Sequence, residues 1–215
     1  MKLRYFGHAS FLVTSEKGIK IIMDPYTVGG GIHYGQINEE ADVVTVSHEH
    51  GDHNNLAAIK GTPRVLKGKG NVIAENITFR GIMSDHDDTQ GTQRGKNTIF
   101  CFEVDSIKLC HLGDLGTLLT DGQIAEIGTV DILFIPVGGY FTIDARQATQ
   151  VYQSLHPRVA IPMHYKTTKS NYPITGVDDF VKGKKNVLNF KSSEIEYNSN
   201  NLPKESHIIV LQHAL

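Results

Sequence analysis

Four residues in the first quarter of the chain, His48, His50, Asp52 and His53, form the pattern His-x-His-x-Asp-His. With 11 histidines in 215 residues, its chance occurrence is on the order of one in a thousand, so the spacing is a specific signal. Imidazole nitrogen and carboxylate oxygen are ligands for borderline divalent ions such as zinc, manganese or iron. In extended chain His48 and His50 point the same way. A turn at Gly51 then swings Asp52 and His53 toward a second position. Four ligands this close do not readily surround one ion, but they can begin two neighbouring sites. Completing those sites needs further ligands at strand ends. His86, His111, Asp114 and His164 each meet that condition. A pair of divalent ions held this way would activate water for hydrolysis.

The elements that must carry these residues follow from the apolar pattern. Leu3 to Thr14 reads as a strand broken at Gly7-His8, and Lys17-Gly18 turns it into a second strand, Ile19 to Met23, ending at Asp24-Pro25. Val28 to Gly35 carries four glycines and reads as an exposed loop. Val43 to Val46 is a short apolar run, as for a strand buried on both faces, and delivers the metal motif. Asn54 to Ile59 has a helical pattern. Strands are expected at Val65-Leu66, Asn71 to Met83, Thr98 to Val104, Ile107 to His111, Ile132 to Val137, Val159 to Met163, Glu194 to Tyr197 and Ile208 to Leu211. Ser84 to Asn97 reads as a polar loop. Helices are expected at Ile124 to Ile127, from an Asp144 N-cap to about Leu155, and at Val177 to Lys182. Hairpins first and helix–strand alternation later favour two sheets with helices on their outer faces.

At 215 residues and 40% hydrophobic composition the chain suits one domain, 1–215. Twenty-one basic against 23 acidic residues argue against a polyanion binder. No run approaches a membrane span or a signal peptide, so a cytoplasmic protein with reduced thiols at Cys101 and Cys110 is expected.

The order of motifs resembles the metallo-β-lactamase superfamily. The pieces are SHEHGDH from Ser47, DHDDTQGTQRG from Asp85, HLGDLG from His111 and IPMHYKT from Ile161, with Gly7 to Leu12 and Asp24-Pro25-Tyr26 fitting the opening hairpin. The nearest look is to the small bacterial branch that includes the ascorbate-6-phosphate lactonase type. Phospholipase-D-like members are more distant. The resemblance implies an α+β fold, a four-layer αββα sandwich of two mixed sheets. It also implies a ligand set: His48, His50 and His86 for one ion, Asp52, His53 and His164 for the other, Asp114 between them. Two divalent ions are implied, zinc first, with manganese or iron accepted by the same ligands. Asp24 would support the metal loop. The absence of cysteine at these positions argues against a β-lactamase proper with a Cys ligand.

The implied reaction is attack by a metal-bridging hydroxide on a small ester, lactone or phosphorylated substrate. Asp52 and His111 are the candidate catalytic residues, Asp52 to orient the nucleophile or take its proton. His111, Tyr140, Tyr165 and Lys166 are candidates for the leaving-group acid. The His33-Tyr34 loop is a candidate substrate wall, although an ordinary surface loop is the simpler reading. Arg94 and Lys166 are candidate anion contacts. Two other readings compete. A phosphodiesterase or nuclease on the same fold would be expected to carry a basic, aromatic-rich stretch, which this chain lacks. A non-hydrolytic metal protein of the di-iron redox kind would replace a motif histidine with an acidic residue, yet His50 is retained. A small-molecule partner, no membrane and no nucleic acid are therefore expected, with homo-oligomerisation left open.

Overall fold

The computed structural model describes residues 1–215. The strands in chain order are β1 (Lys2–Gly7), β2 (Ser10–Thr14), β3 (Lys20–Met23), β4 (Val43–Val46), β5 (Arg64–Lys67), β6 (Gly70–Ala74), β7 (Ile77–Asp85), β8 (Lys96–Val104), β9 (Ile107–His111), β10 (Ile132–Pro136), β11 (Val159–Met163), β12 (Val187–Asn189), β13 (Glu194–Glu196) and β14 (His207–Val210). The helices are α1 (Asp121–Ile127), α2 (Ala145–Leu155) and α3 (Asp178–Val181). They build two mixed sheets, β13-β1-β2-β3-β4-β5 and β12-β14-β11-β10-β9-β8-β7-β6. This is the expected metallo-β-lactamase sandwich. No helix is long and apolar enough to cross a membrane.

The sheets pack face to face because each presents an unbroken apolar surface. Leu3, Tyr5, Phe11, Val13, Ile21 and Met23 from the first meet Phe79, Phe100, Phe102, Phe134 and Ile161 from the second. Phe11 stacks at 4.7 Å on Tyr5 and meets Phe134 at 4.5 Å. Burying each such ring stabilises the fold by about 1.5–3 kcal/mol. Strands β4, β10 and β11 are buried along their whole length, which is why their sequences read as continuous apolar runs rather than alternations.

On the outer face of the larger sheet, Ala148, Val151 and Leu155 of α2 and Phe180 of α3 cover Leu133, Ile135 and Cys110. Asp144 caps α2 as expected, accepting from the Gln147 amide at 2.8 Å. Helix α1 starts three residues before the expected Ile124, because Thr120 and Gln123 form a capping box. Cys101 and Cys110 are both free and buried.

The outer face of the smaller sheet departs from expectation in detail. Asn54 to Ile59 supplies only a 3₁₀ turn, Leu56–Ala58. The covering layer is chiefly the loop after β3 and the C-terminal tail, with Tyr26, Ile32, Tyr34 and Ile37 packed on Phe6, Ile22 and Val44. The segment from Val28 to Gly35 is therefore not simply exposed. Its alternate residues Ile32 and Tyr34 are buried, while His33 faces outward and meets Asn171 at 2.9 Å. The run Asn71 to Met83 divides into β6 and β7 at Glu75-Asn76, both with positive φ. Asn97, expected in a loop, lies in β8.

Candidate metal centre

Every expected ligand sits just past a strand end, at one rim of the sandwich. The His48–His53 segment follows β4, His86 follows β7, Asp114 follows β9 and His164 follows β11. Asp24, at the end of β3, organises the first of these turns. Its carboxylate accepts from the Ser47 amide at 2.8 Å, the Ser47 hydroxyl at 2.6 Å and His53 Nδ1 at 2.8 Å. With its Nδ1–H spent on Asp24, His53 turns Nε2 toward the rim, which is how an outer carboxylate sets the tautomer of a ligating histidine. Ser47 Oγ meets His48 Nδ1 at 2.9 Å and leaves His48 Nε2 facing the same space.

The side chains fall into two main groups, linked by a third made of Asp24, His48 and His53. His48, His50 and His86 form one, while Asp52, His53, His164 and His8 form the other, with ligand atoms inside each group within 4.8 Å. Asp114 lies between them. Its Oδ2 is 3.3 Å from His86 Nε2 and 3.9 Å from His48 Nε2 in the first group, and 3.3 Å from His164 Nε2 in the second. Its Oδ1 is 3.2 Å from His53 Nε2. Asn97 holds Asp114 in place, accepting from its amide at 3.0 Å while donating to Ser84 Oγ and the Leu112 carbonyl. All seven residues expected from the sequence are thus brought together.

The buried atoms facing one another have no hydrogen-bond partners of their own. His48 Nε2, His53 Nε2, His164 Nε2 and Asp114 Oδ1 are all buried and unpaired. An unpaired buried polar atom costs about 1–3 kcal/mol, and native proteins rarely tolerate several in one place. Divalent ions would satisfy them together, and the nitrogen and oxygen donor set suits zinc, manganese or iron.

Burial is the largest influence on these groups and it opposes charge. It pulls His8 down to about 4 and His48 down to about 3, so both imidazoles are neutral at neutral pH. On Asp114 burial pushes upward but is outweighed by His164 and His53, and the carboxyl lies well below its usual range. On Asp52 burial is likewise outweighed, by His53 and by the hydrogen bond from His8. Ionised carboxylates among neutral imidazoles match what ligation requires. His53 is the exception. There burial is outweighed by the Asp114 and Asp52 carboxylates, which push the imidazole well above its usual range.

The rim opens into a cleft of about 250 Å³, walled by His50, Asp52, His86, Asp114 and His164 together with Arg94, Phe141 and Tyr172. A larger cavity of about 330 Å³, lined by Asn71, Arg80, Cys101 and Val130 among others, contains none of the clustered histidines. Of the residues expected to act on substrate, several lie elsewhere. His111 is buried with both nitrogens engaged, Nε2 donating to the Ala9 carbonyl at 2.9 Å and Nδ1 accepting from the Gly113 amide at 3.2 Å. It is placed to shape the turn before Asp114 rather than to meet a substrate. Tyr165 is buried against the Leu211 carbonyl and Lys166 donates to the Tyr172 carbonyl, whereas the exposed Tyr140 lines a side cavity with His86, Arg94 and Phe141. The buried Tyr34 is not part of the cleft wall.

Sequence reasoning missed His8, Phe141 and Tyr172. His8 Nε2 donates to Asp52 Oδ2 at 3.1 Å, and its ring packs 4.2 Å from that of His164. Its signal was the break at Gly7-His8, where a histidine interrupts an apolar strand and takes a positive φ of 55°. Asp24 (φ 45°) and His164 (φ 52°) share this left-handed conformation, which L residues adopt at a cost of about 1–2 kcal/mol each. Such strain clusters at functional sites.

Comparison with known proteins agrees with this geometry. Residues 2–164 match the family described as the Beta-lactamase superfamily domain. A UPF0173 metal-dependent hydrolase of Carboxydothermus hydrogenoformans is 31% identical over 205 residues, covering 83% of this chain and 88% of the relative. One from Thermococcus onnurineus is 29% identical over 193 residues, covering 78% and 85%. A solved structure from Thermotoga maritima, assigned as a Zn-dependent hydrolase of the same superfamily, is 36% identical and superposes with a TM-score of 0.81 over 98% of this chain and 97% of its own. A histidine- and aspartate-lined rim on this sandwich, matched along most of the chain in sequence and structure, places the protein in the metallo-β-lactamase superfamily, among its metal-dependent hydrolases.

Proposed function

We propose that the chain is a dinuclear hydrolase acting on a small ester, lactone or phosphorylated substrate. Asp114 carries this reading, because its two oxygens lie 3.2–3.9 Å from ring nitrogens of both histidine groups. His48, His50 and His86 would hold one ion, Asp52, His53 and His164 the other, and Asp114 would bridge them. Zinc suits the set best, and manganese or iron also fits. Bound divalent ions make water nucleophilic near neutral pH and polarise the oxygen of the bond under attack.

The chain's own residues do the rest. Asp24 and Ser47 fix the ring orientations of His53 and His48. His8 holds Asp52 from the side away from solvent. Phe141 and Tyr172, whose rings lie 5.4 Å apart, wall the cleft and reduce water around the reacting bond. The cleft of about 250 Å³ adjoins a wider one of about 450 Å³ that shares His50 and Arg94 with it, which gives room for a small substrate. The near-neutral charge argues against a nuclease.

Metal analysis of the purified protein, followed by assays on lactones, phosphodiesters and thioesters, tests this reading. Two ions per chain are expected, falling to one in the His48→Ala/His50→Ala double variant. Asp114→Asn should abolish turnover while the fold persists by circular dichroism. Two ions retained in the double variant, or turnover indifferent to chelator, would overturn the assignment.

A further inference from the structure

The cleft wall includes one guanidinium, that of Arg94. The guanidinium of Arg94 lies 5.4 Å over the ring of Phe141 and shares the cleft wall with His50, His86 and Asp114. Its basic neighbours are neutralised: Lys67 pairs with Glu49 at 2.9 Å and Lys96 with Asp85 at 2.6 Å. Arg94 takes part in no salt bridge, and its side chain makes no hydrogen bond. The loop beneath it is rigidly built. Asp87, buried at the root of that loop, accepts from the amides of Thr89, Gly91, Gln93 and Arg94 and from the Thr89 hydroxyl, at 2.6–3.0 Å. That carboxylate is saturated by its own loop and is not left to pair with the guanidinium. The fold thus fixes the backbone of Arg94, sets its guanidinium over an aromatic ring and leaves its fork of donors free.

We infer that Arg94 anchors an oxyanion of the substrate, so the molecule hydrolysed here is a small anion bearing a carboxylate or phosphate. The inference rests on the hydrolase reading above and adds the substrate's charge to it. A planar guanidinium held in place recognises either oxyanion through paired N–H donors, whereas a lysine offers only a point charge.

The test compares two chromogenic esters of equal chain length, mono-4-nitrophenyl glutarate and 4-nitrophenyl pentanoate, on the zinc-loaded protein. The ratio of kcat/KM for the anionic over the neutral ester should fall about tenfold in Arg94→Ala, the size of one lost charge-assisted contact, and should recover only in part in Arg94→Lys. An unchanged ratio would overturn the proposal. If the wild type turns over neither ester, the hydrolase reading is what fails for such esters, and the anchor is then read by calorimetry. Glutarate and glycerol 3-phosphate should then bind the zinc-loaded wild type about tenfold more tightly than Arg94→Ala, the larger loss naming the preferred oxyanion. Equal affinities for both ligands would overturn it.

Discussion

His8 shows how an outer residue governs a metal group at the scale of single side chains. Its neutral ring donates to Asp52 at 3.1 Å from a fully enclosed position, and so decides which way that carboxylate faces. Partners of this kind alter metal affinity by about 10–100-fold when removed. His8→Ala should therefore weaken the ion proposed at Asp52, His53 and His164 by about that factor while sparing the one proposed at His48, His50 and His86. Competition with a chromogenic chelator would resolve this as one shifted and one unshifted phase. Two phases that move together, or neither moving, would count against the role. Asp24 acts by the same logic on His53. In both cases the residue works through another side chain and need not touch the substrate.

Between elements, the site depends on how closely the loops after the strands approach one another. A Cβ at Gly116 would fall 2.2 Å from the His86 carbonyl carbon and 2.3 Å from the Asp87 amide nitrogen. Those atoms are backbone, so no rotamer change relieves the clash and the two loops would have to separate. Gly116→Ala should destabilise the protein by about 1–3 kcal/mol and loosen the ion at His86, as measured by urea denaturation and metal titration. Gly122→Ala is the matched control. It lies in α1, the nearest neighbour of a new Cβ being Thr120 Oγ1 at 3.9 Å, and it should be neutral or stabilising by up to about 1 kcal/mol. Equal losses in the two variants would show that close packing of the loops is not what matters.

At the scale of the whole molecule, the buried centre ties stability to metal. The proposed ligands, contributed after β4, β7, β9 and β11, span both sheets, so an ion held by them would bind the folded chain and not the unfolded one. With free zinc at a hundred times its dissociation constant, the linkage contributes about 2.7 kcal/mol. For a chain of this length that is a rise in Tm of about 5–10 °C. Scanning calorimetry with zinc and with excess chelator measures the difference. A Tm that ignores the chelator would mean that no ion bridges the two sheets.

Much of this was legible in the linear chain. The His-x-His-x-Asp-His spacing is a local pattern, and local patterns survive without coordinates. The buried strands β4, β10 and β11 announced themselves as apolar runs, and Asp144 as an N-cap, because period and capping are properties of neighbouring residues. His86, Asp114 and His164 could be nominated, since each follows such a run. What the chain alone could not decide was which distant groups meet. His8 stands 44 residues from Asp52, and Tyr172 and Phe141 reach the cleft from loops with no periodic signature. His111 had the right type and place in sequence, yet hydrogen bonds to the Ala9 carbonyl and the Gly113 amide occupy both its nitrogens. Asn54 to Ile59 had a helical pattern, but the outer face of the smaller sheet is filled instead by Tyr26, Ile32 and Tyr34. Ligand type and spacing are set by covalent order. The direction in which each nitrogen and carboxylate points is set by contacts between segments far apart in the chain, and only the folded sandwich brings those into being.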